Sequence, residues 1–254
     1  MIDLSTIGVY DLLPFVLIGF AAQLIDGALG MAFGVISSTL LISAGLPPAA
    51  AAASVAIVAS FTTGISGLSH ALMANVDWRL LARLLIPGMI GGILGAFVVS
   101  NTLPEVARPV VLTYLSLIGL WLIWRSLRHR HKEREARVVE PLGLVGGFLT
   151  GASGGGWGPV VTSNLLIQGT SPRKTIGTVS TAEFFLAVTV SATFFMTLGW
   201  RDFTAATFGL LIGGIAAAPL GALLAKRVAA SVLMMMVGIV LTLTSAWSIW
   251  RALA

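Results

Sequence analysis

GASGGGWGPVVTSNLL, residues 151–166, is the stretch on which the fold turns. Three adjacent glycines, a tryptophan and a proline do not sustain a regular helix, yet apolar sequence runs on either side of them. Glycine reaches backbone conformations closed to other residues. Proline suits the first turn of a helix, where its missing N–H costs nothing. The stretch therefore predicts a helix that breaks at the glycines and resumes around Pro159. A helix resuming there aims free N–H groups and the positive end of its dipole into the gap, a natural position for an anion.

The surrounding composition says what solvent the break sits in. The chain has 254 residues, 57% hydrophobic and 10% charged, with mean hydropathy +0.97. Soluble domains carry about 25% charged residues, so the chain reads as an integral membrane protein. Residues 84–100, 109–124, 203–225 and 228–250 are free of charge over the length a bilayer core demands. Helices are expected, since the short alternating strands of a barrel are not seen. The start, MIDLSTIGVYD, has two acids and no base, unlike the basic region of a secretory signal. There is no cysteine, so disulfide, thiolate and cysteine–metal chemistry are excluded. The net charge of +5 does not argue for nucleic acid, because six of the fifteen basic residues lie in RSLRHRHKEREAR, 125–137. Such a cluster between apolar blocks reads as a cytoplasmic loop.

That loop separates two similar halves. WLIWR (121–125) recurs as WSIWR (247–251), and Gly34, Gly45 and Pro48 recur 124 residues on as Gly158, Gly169 and Pro172. Each half divides into a Gly-rich piece (14–44 and 141–170) and three longer apolar segments. If the Gly-rich piece is a hairpin, it returns to its own side and the second half is inverted relative to the first; a single span would make the halves parallel. The inverted arrangement puts twelve Lys and Arg residues on the side of the basic loop and leaves only Arg108, Arg201 and Arg251 opposite. The parallel one splits them ten to five, so inversion is preferred.

The expectation is one all-α polytopic membrane domain over 1–254. It comprises repeat 1 at about 12–125, a cytoplasmic loop at 126–140 and repeat 2 at about 141–253. Each repeat is a short broken or re-entrant helical hairpin plus three transmembrane helices, giving eight to ten membrane segments, with the N-terminus outside. Inverted repeats interrupted at matching positions mark secondary transporters, whose breaks meet near the bilayer midplane.

The first half's interrupted piece is AAQLIDGALGMAFGVISSTLL, 21–41. The candidate substrate-binding residues are Gln23, Asp26, Gly27 and Gly30 from this piece, and Ser153, Gly154, Gly155, Gly156, Trp157 and Asn164 from its partner. Gly88 with Gly92, and Gly91 with Gly95, read as helix-packing pairs. Two acids fall inside apolar sequence, Asp26 and Glu183. An ionised carboxylate at membrane depth is costly, and such groups are functional candidates by default. Glu183 has no basic residue placed to pair with it, and is expected to carry a coupling proton or to rest neutral among Ser and Thr neighbours. Asp26, just before Gly27, is expected either to cap the resuming helix or to take part in coupling.

Enzyme readings fail on the residues. GASG (151–154) resembles the nucleophile motif of rhomboid proteases, but no histidine follows position 131 to act as base. There is no phosphate loop ending in Gly-Lys and no HExxH. No metal or cofactor is expected.

The length, the duplicated halves, DGxxG at 26–30 and G-x-x-GGG-x-GP at 151–159 resemble the TauE/SafE sulfite exporter family across essentially the whole chain. The resemblance implies an inner-membrane permease for small anions such as sulfite, sulfonates and related organosulfur or carboxylate anions. It also implies coupling to protons and a substrate path lined by Gln23 to Gly34 and Gly151 to Asn164. The expected partners are a small anion, protons and the lipid bilayer, with no nucleic acid. The rival expectation is a non-transporting membrane assembly or partner-docking protein on the same scaffold.

Overall fold

The structure, a computed structural model, describes residues 9–29, 31–127, 136–199, 205–227 and 230–253. The N-terminal eight residues, Gly30, most of the basic loop and Arg201 therefore lie outside the described residues. Described residues form helices α1 (Val9–Leu29), α2 (Phe33–Ser43), α3 (Pro48–Leu72), α4 (Trp78–Ser100) and α5 (Pro104–Ser126) in the first half. The second half contains α6 (Glu140–Ser153), a π-helical turn (Trp157–Thr162) running into α7 (Ser163–Gln168), α8 (Pro172–Leu198), α9 (Ala205–Arg227) and α10 (Ala230–Leu253). No strand occurs among the described residues.

Equivalent elements begin at equivalent residues. The helices after the two breaks start at Phe33 and Trp157, and the next helices start at Pro48 and Pro172. Each of these two prolines occupies the first helical position, where it costs no hydrogen bond. The packing has the same duplication: α1 lies against α9 as α6 lies against α4, while α3 pairs with α8 and α5 with α10. Exchanging the halves leaves this set of pairs unchanged.

Small residues set how closely these pairs approach. Along the α4–α6 seam, Gly91 and Gly95 lie against the backbone of Leu144 and Phe148, and Gly147 and Gly151 against that of Gly88 and Gly92. Gly213 meets Val16 across α1–α9, and Gly119 meets Gly238 across α5–α10. A β-carbon at these positions would enter the facing backbone. Close approach of this kind replaces the hydrophobic drive that helix pairs lack in lipid.

Two interior clusters result. One, around Leu41, Val58, Leu112, Leu115 and Leu210, joins α1, α2, α3, α5, α9 and α10. The other, around Leu84, Trp157, Leu165, Leu186 and Phe194, joins α3, α4, the π turn, α7 and α8. The outward faces are also apolar, as at Ile65, Ile86, Val110 and Met196. An apolar rim around an apolar core is what a bilayer solvent requires. Pro48–Leu72, Trp78–Ser100, Pro104–Trp124 and Lys174–Leu198 are long and apolar enough to cross a membrane by length and composition. Leu12–Asp26, Phe33–Ser43, Ala206–Ala217 and Gly238–Trp247 are shorter apolar helices.

Polar ties fix the helix ends. Asp77 caps α4, its Oδ1 accepting from Arg79 N (3.0 Å) and Leu80 N (3.1 Å), while its own N–H donates to Thr178 Oγ1 on α8 (2.8 Å). Arg83 on α4 and Glu140 on α6 form an exposed ion pair at 2.6 Å. The Arg83 guanidinium holds the Glu140 carboxyl down to about 2. Gln168, at the end of α7, accepts from Arg137 N (2.8 Å) and Val138 N (3.0 Å) and donates to Val138 O (3.0 Å). The end of the second Gly-rich piece thus returns beside its start, as a hairpin does.

Candidate functional site

The second break opens at Ser153. Gly154 ends α6 in the left-handed conformation (φ 75°), its N–H donating to Thr150 O at 2.7 Å. A side chain there would be strained, and its β-carbon would collide with Ser38 Oγ. Ser153 Oγ donates to Leu149 O (2.6 Å) and accepts from Gly155 N (3.3 Å). Tyr114 on α5 donates its hydroxyl to Gly155 O (3.1 Å). The chain then resumes as a π turn, a rare geometry that is frequent at functional sites.

The first break is held differently. Asp26 Oδ1 accepts from Ala32 N (2.7 Å) and Phe33 N (2.9 Å), so its carboxylate closes the N-terminus of α2. It acts as a cap reached from six and seven residues upstream, complementing the helix dipole.

The two breaks touch each other. Gly34 lies on the backbone of Gly154 and Gly155, Gly155 on that of Gly34 and Val35, and Gly158 on Met31. Beside this junction opens a small cavity. Asp26, Phe33 and Gly34 line it from the first break, and Thr150 and Gly154 from the second. Val55, Ala56, Ala59, Thr62 and Thr63 of α3 and Glu183 and Ala187 of α8 complete the lining. No Lys, Arg or His is among these residues. Glu183 is aimed here by the α3–α8 crossing, in which Gly64 packs against Phe184 and Gly67 against Thr181.

The 124-residue offset pairs Asp26 with Thr150 and Ala59 with Glu183, and all four line the cavity. Each half thus supplies one acid where the other half has a neutral residue.

The sequence candidates divide accordingly. Asp26, Gly154 and Glu183 line the cavity, and Ser153, Gly155 and Gly156 lie in the adjoining break. Trp157 lies in the interior instead, 1% exposed, its Nε1 donating to Val179 O (3.1 Å) and its ring packed on Gly88. Asn164 turns back along its helix, Nδ2 donating to Val160 O (2.7 Å). Gln23 is buried on α1 with no partner for Oε1, and Gly27 lies in the last turns of α1. Gly30 falls outside the described residues. Among these candidates the described residues contain no grouping of His, Cys, Asp and Glu able to hold a metal. Sequence reasoning passed over Tyr114, Thr62, Thr63 and Thr150. The repeat offset from Asp26 points to Thr150; nothing local marks the other three.

Comparison with known proteins places the chain in a family. The family model described as "Sulfite exporter TauE/SafE" matches residues 15–248. A protein of Bacillus subtilis (strain 168), described as "Probable membrane transporter protein YtnM", is 43% identical over 225 residues, covering 85% of this chain and 75% of its own. No solved structure matches. Nearly the whole chain, both breaks included, falls within the matched region, and the chain belongs to the TauE/SafE family of multi-pass membrane transporters, which are not enzymes.

Proposed function

We propose that the chain is a secondary transporter that moves a small anion across the inner membrane by alternating access, coupled to protons. One observation carries the reading: the interrupted helices of the two halves meet at a single cavity, to which each half contributes one carboxyl group. The family description names sulfite; sulfonates and related organosulfur or carboxylate anions are proposed beside it as the substrate class.

Inversion of the halves is part of the proposal. The α2 arm has 11 residues, about 16 Å of helix, roughly half of a ~30 Å bilayer core. The α6 arm has 14 residues, about 21 Å. The α1 arm is longer, 21 residues or about 31 Å. The support for a hairpin is therefore the contact of Gln168 with Arg137 and Val138. A piece that returns to its own side leaves three crossings per half, hence opposite orientations. The N-terminus then lies outside and the 126–140 loop in the cytoplasm. The exchange-symmetric packing suits rocking of one half against the other across the cavity.

Coupling falls to Glu183. Asp26 is held by two N–H groups of α2, whereas Glu183 faces the cavity and can take up and release a proton from either side as access alternates. In proteoliposomes carrying the purified chain, at least one of sulfite, sulfoacetate and small carboxylates is expected to move, faster under an imposed pH gradient. If none moves or binds, the docking-scaffold alternative replaces this reading.

A further inference from the structure

An anion needs N–H or O–H donors that are not already committed, and many donors around the cavity are. Ala32 N and Phe33 N are held by Asp26, Gly154 N by Thr150 O, and Gly155 N by Ser153 Oγ. A hydroxyl has one hydrogen. Thr63 Oγ1 gives its own to Ala59 O (2.6 Å), Thr150 Oγ1 to Gly146 O (2.8 Å) and Thr62 Oγ1 to Val58 O (3.3 Å). Ser38 on α2 differs. Its hydroxyl is fully buried, has no hydrogen-bond partner, and ends against Gly154 at the cavity wall. A buried donor left unpaired costs free energy, so an unspent hydrogen at this wall points to an acceptor that arrives with a ligand.

The same feature recurs in the second half. The 124-residue offset carries Ser38 to Thr162 in the π turn, which is also fully buried and without a partner. The neighbours of Ser38 do not repeat in this way. Ser37 corresponds to Val161, and Thr39 to Ser163, whose hydroxyl meets Met31 Sδ at 3.7 Å. The cavity itself sits where the halves exchange: Asp26 and Thr150, Ala59 and Glu183, and Thr63 and Ala187 are offset-related pairs that all line it. Exchanging the halves maps each pair onto itself and puts Thr162 in the place of Ser38.

We propose that Ser38 and Thr162 are substrate-binding residues used in turn. Ser38 donates its hydroxyl hydrogen to an oxygen of the anion in the access state of this structure, and Thr162 does so in the opposite one. This assignment rests on the transport reading above and names the donors of its site. Rocking of one half against the other then trades one hydroxyl for the other, so the anion keeps a donor in both states.

The test is flux of sulfite, sulfoacetate and acetate in proteoliposomes of known orientation, with half-saturation measured from each face. Wild type, Ser38→Ala and Thr162→Val are compared. Each variant is expected to raise half-saturation about tenfold or more from the face whose access state uses that hydroxyl, the usual effect of losing a hydrogen bond to a charged group. The ratio of the two faces' constants therefore moves in opposite directions in the two variants. Neither variant removes a bond from the empty protein, so melting temperatures in detergent without substrate are expected to match or exceed wild type. Should Ser38→Ala fail to fold, Ser38→Cys, with its weaker donor, is expected to shift the same constant in the same direction. Unchanged half-saturation in both variants, with flux retained, overturns the proposal and leaves anion transport standing. A shift in one variant alone, or from the same face in both, overturns use in turn and the proposal with it. If wild type moves none of the three probes, the transport reading falls and this assignment falls with it.

Discussion

Asp26 and Gly154 stand at matching ends of the two breaks and hold them by opposite means. Asp26 supplies charge to free N–H groups; Gly154 supplies backbone freedom and the absence of a side chain. Removing the Asp26 carboxylate leaves the first turn of α2 unsatisfied, so Asp26→Ala is expected to cost about 1 kcal/mol of stability, the usual worth of a helix cap. Thermal unfolding in detergent measures it, and an unchanged melting temperature would show that the cap is replaced. Gly154→Ala should cost more than about 1 kcal/mol, because left-handed backbone strain adds to the collision with Ser38. A neutral result there would mean that α6 ends in another conformation.

At the scale of elements, the N-termini of α4 and α6 are tied by Arg83 and Glu140, both exposed. The Glu140 carboxyl lies below its ordinary value of 4.5, at about 2. A depressed carboxyl contributes stability above its ordinary value and loses it as pH falls toward the depressed one. The melting-temperature gap between wild type and Glu140→Gln is therefore expected to be small at neutral pH and to close between about 4.5 and about 2. High salt should close it as well, since exposed pairs are screened. A gap that persists at high salt would point to a role for Glu140 beyond the pair.

Much of this element plan is visible in the sequence. Glycine clusters and Pro159 mark the second break, and the recurrence of Gly34 and Pro48 as Gly158 and Pro172 fixes where the equivalent helices start. Side-chain direction is not visible in the same way. Trp157 and Asn164 lie in the glycine-rich stretch, yet Trp157 reaches Val179 O and Asn164 reaches Val160 O. Whether a polar group faces a gap or its own helix depends on the rotation of that helix, which the irregular turn resets. Thr62 and Thr63 are hidden for the same reason: nothing in FTTG distinguishes cavity-facing hydroxyls from backbone-bonded ones, and these are both.

At the scale of the molecule, both halves line one cavity, and the proposed inversion of their orientation is the first thing to check. The chain has no cysteine, so single cysteines report cleanly. Ala44→Cys, exposed between α2 and α3, is expected to label from outside intact cells, while Lys174→Cys, exposed in the first turn of α8, is expected to need permeabilised ones. Labelling of both from outside would remove the inversion. Transport itself is the decisive property, and the proposal places its coupling on Glu183. The most direct test is substrate flux into proteoliposomes, with and without an imposed pH gradient, for wild type and Glu183→Gln. The account predicts gradient-dependent flux in wild type and flux indifferent to the gradient in the variant; gradient-driven flux that survives unchanged in Glu183→Gln would contradict it.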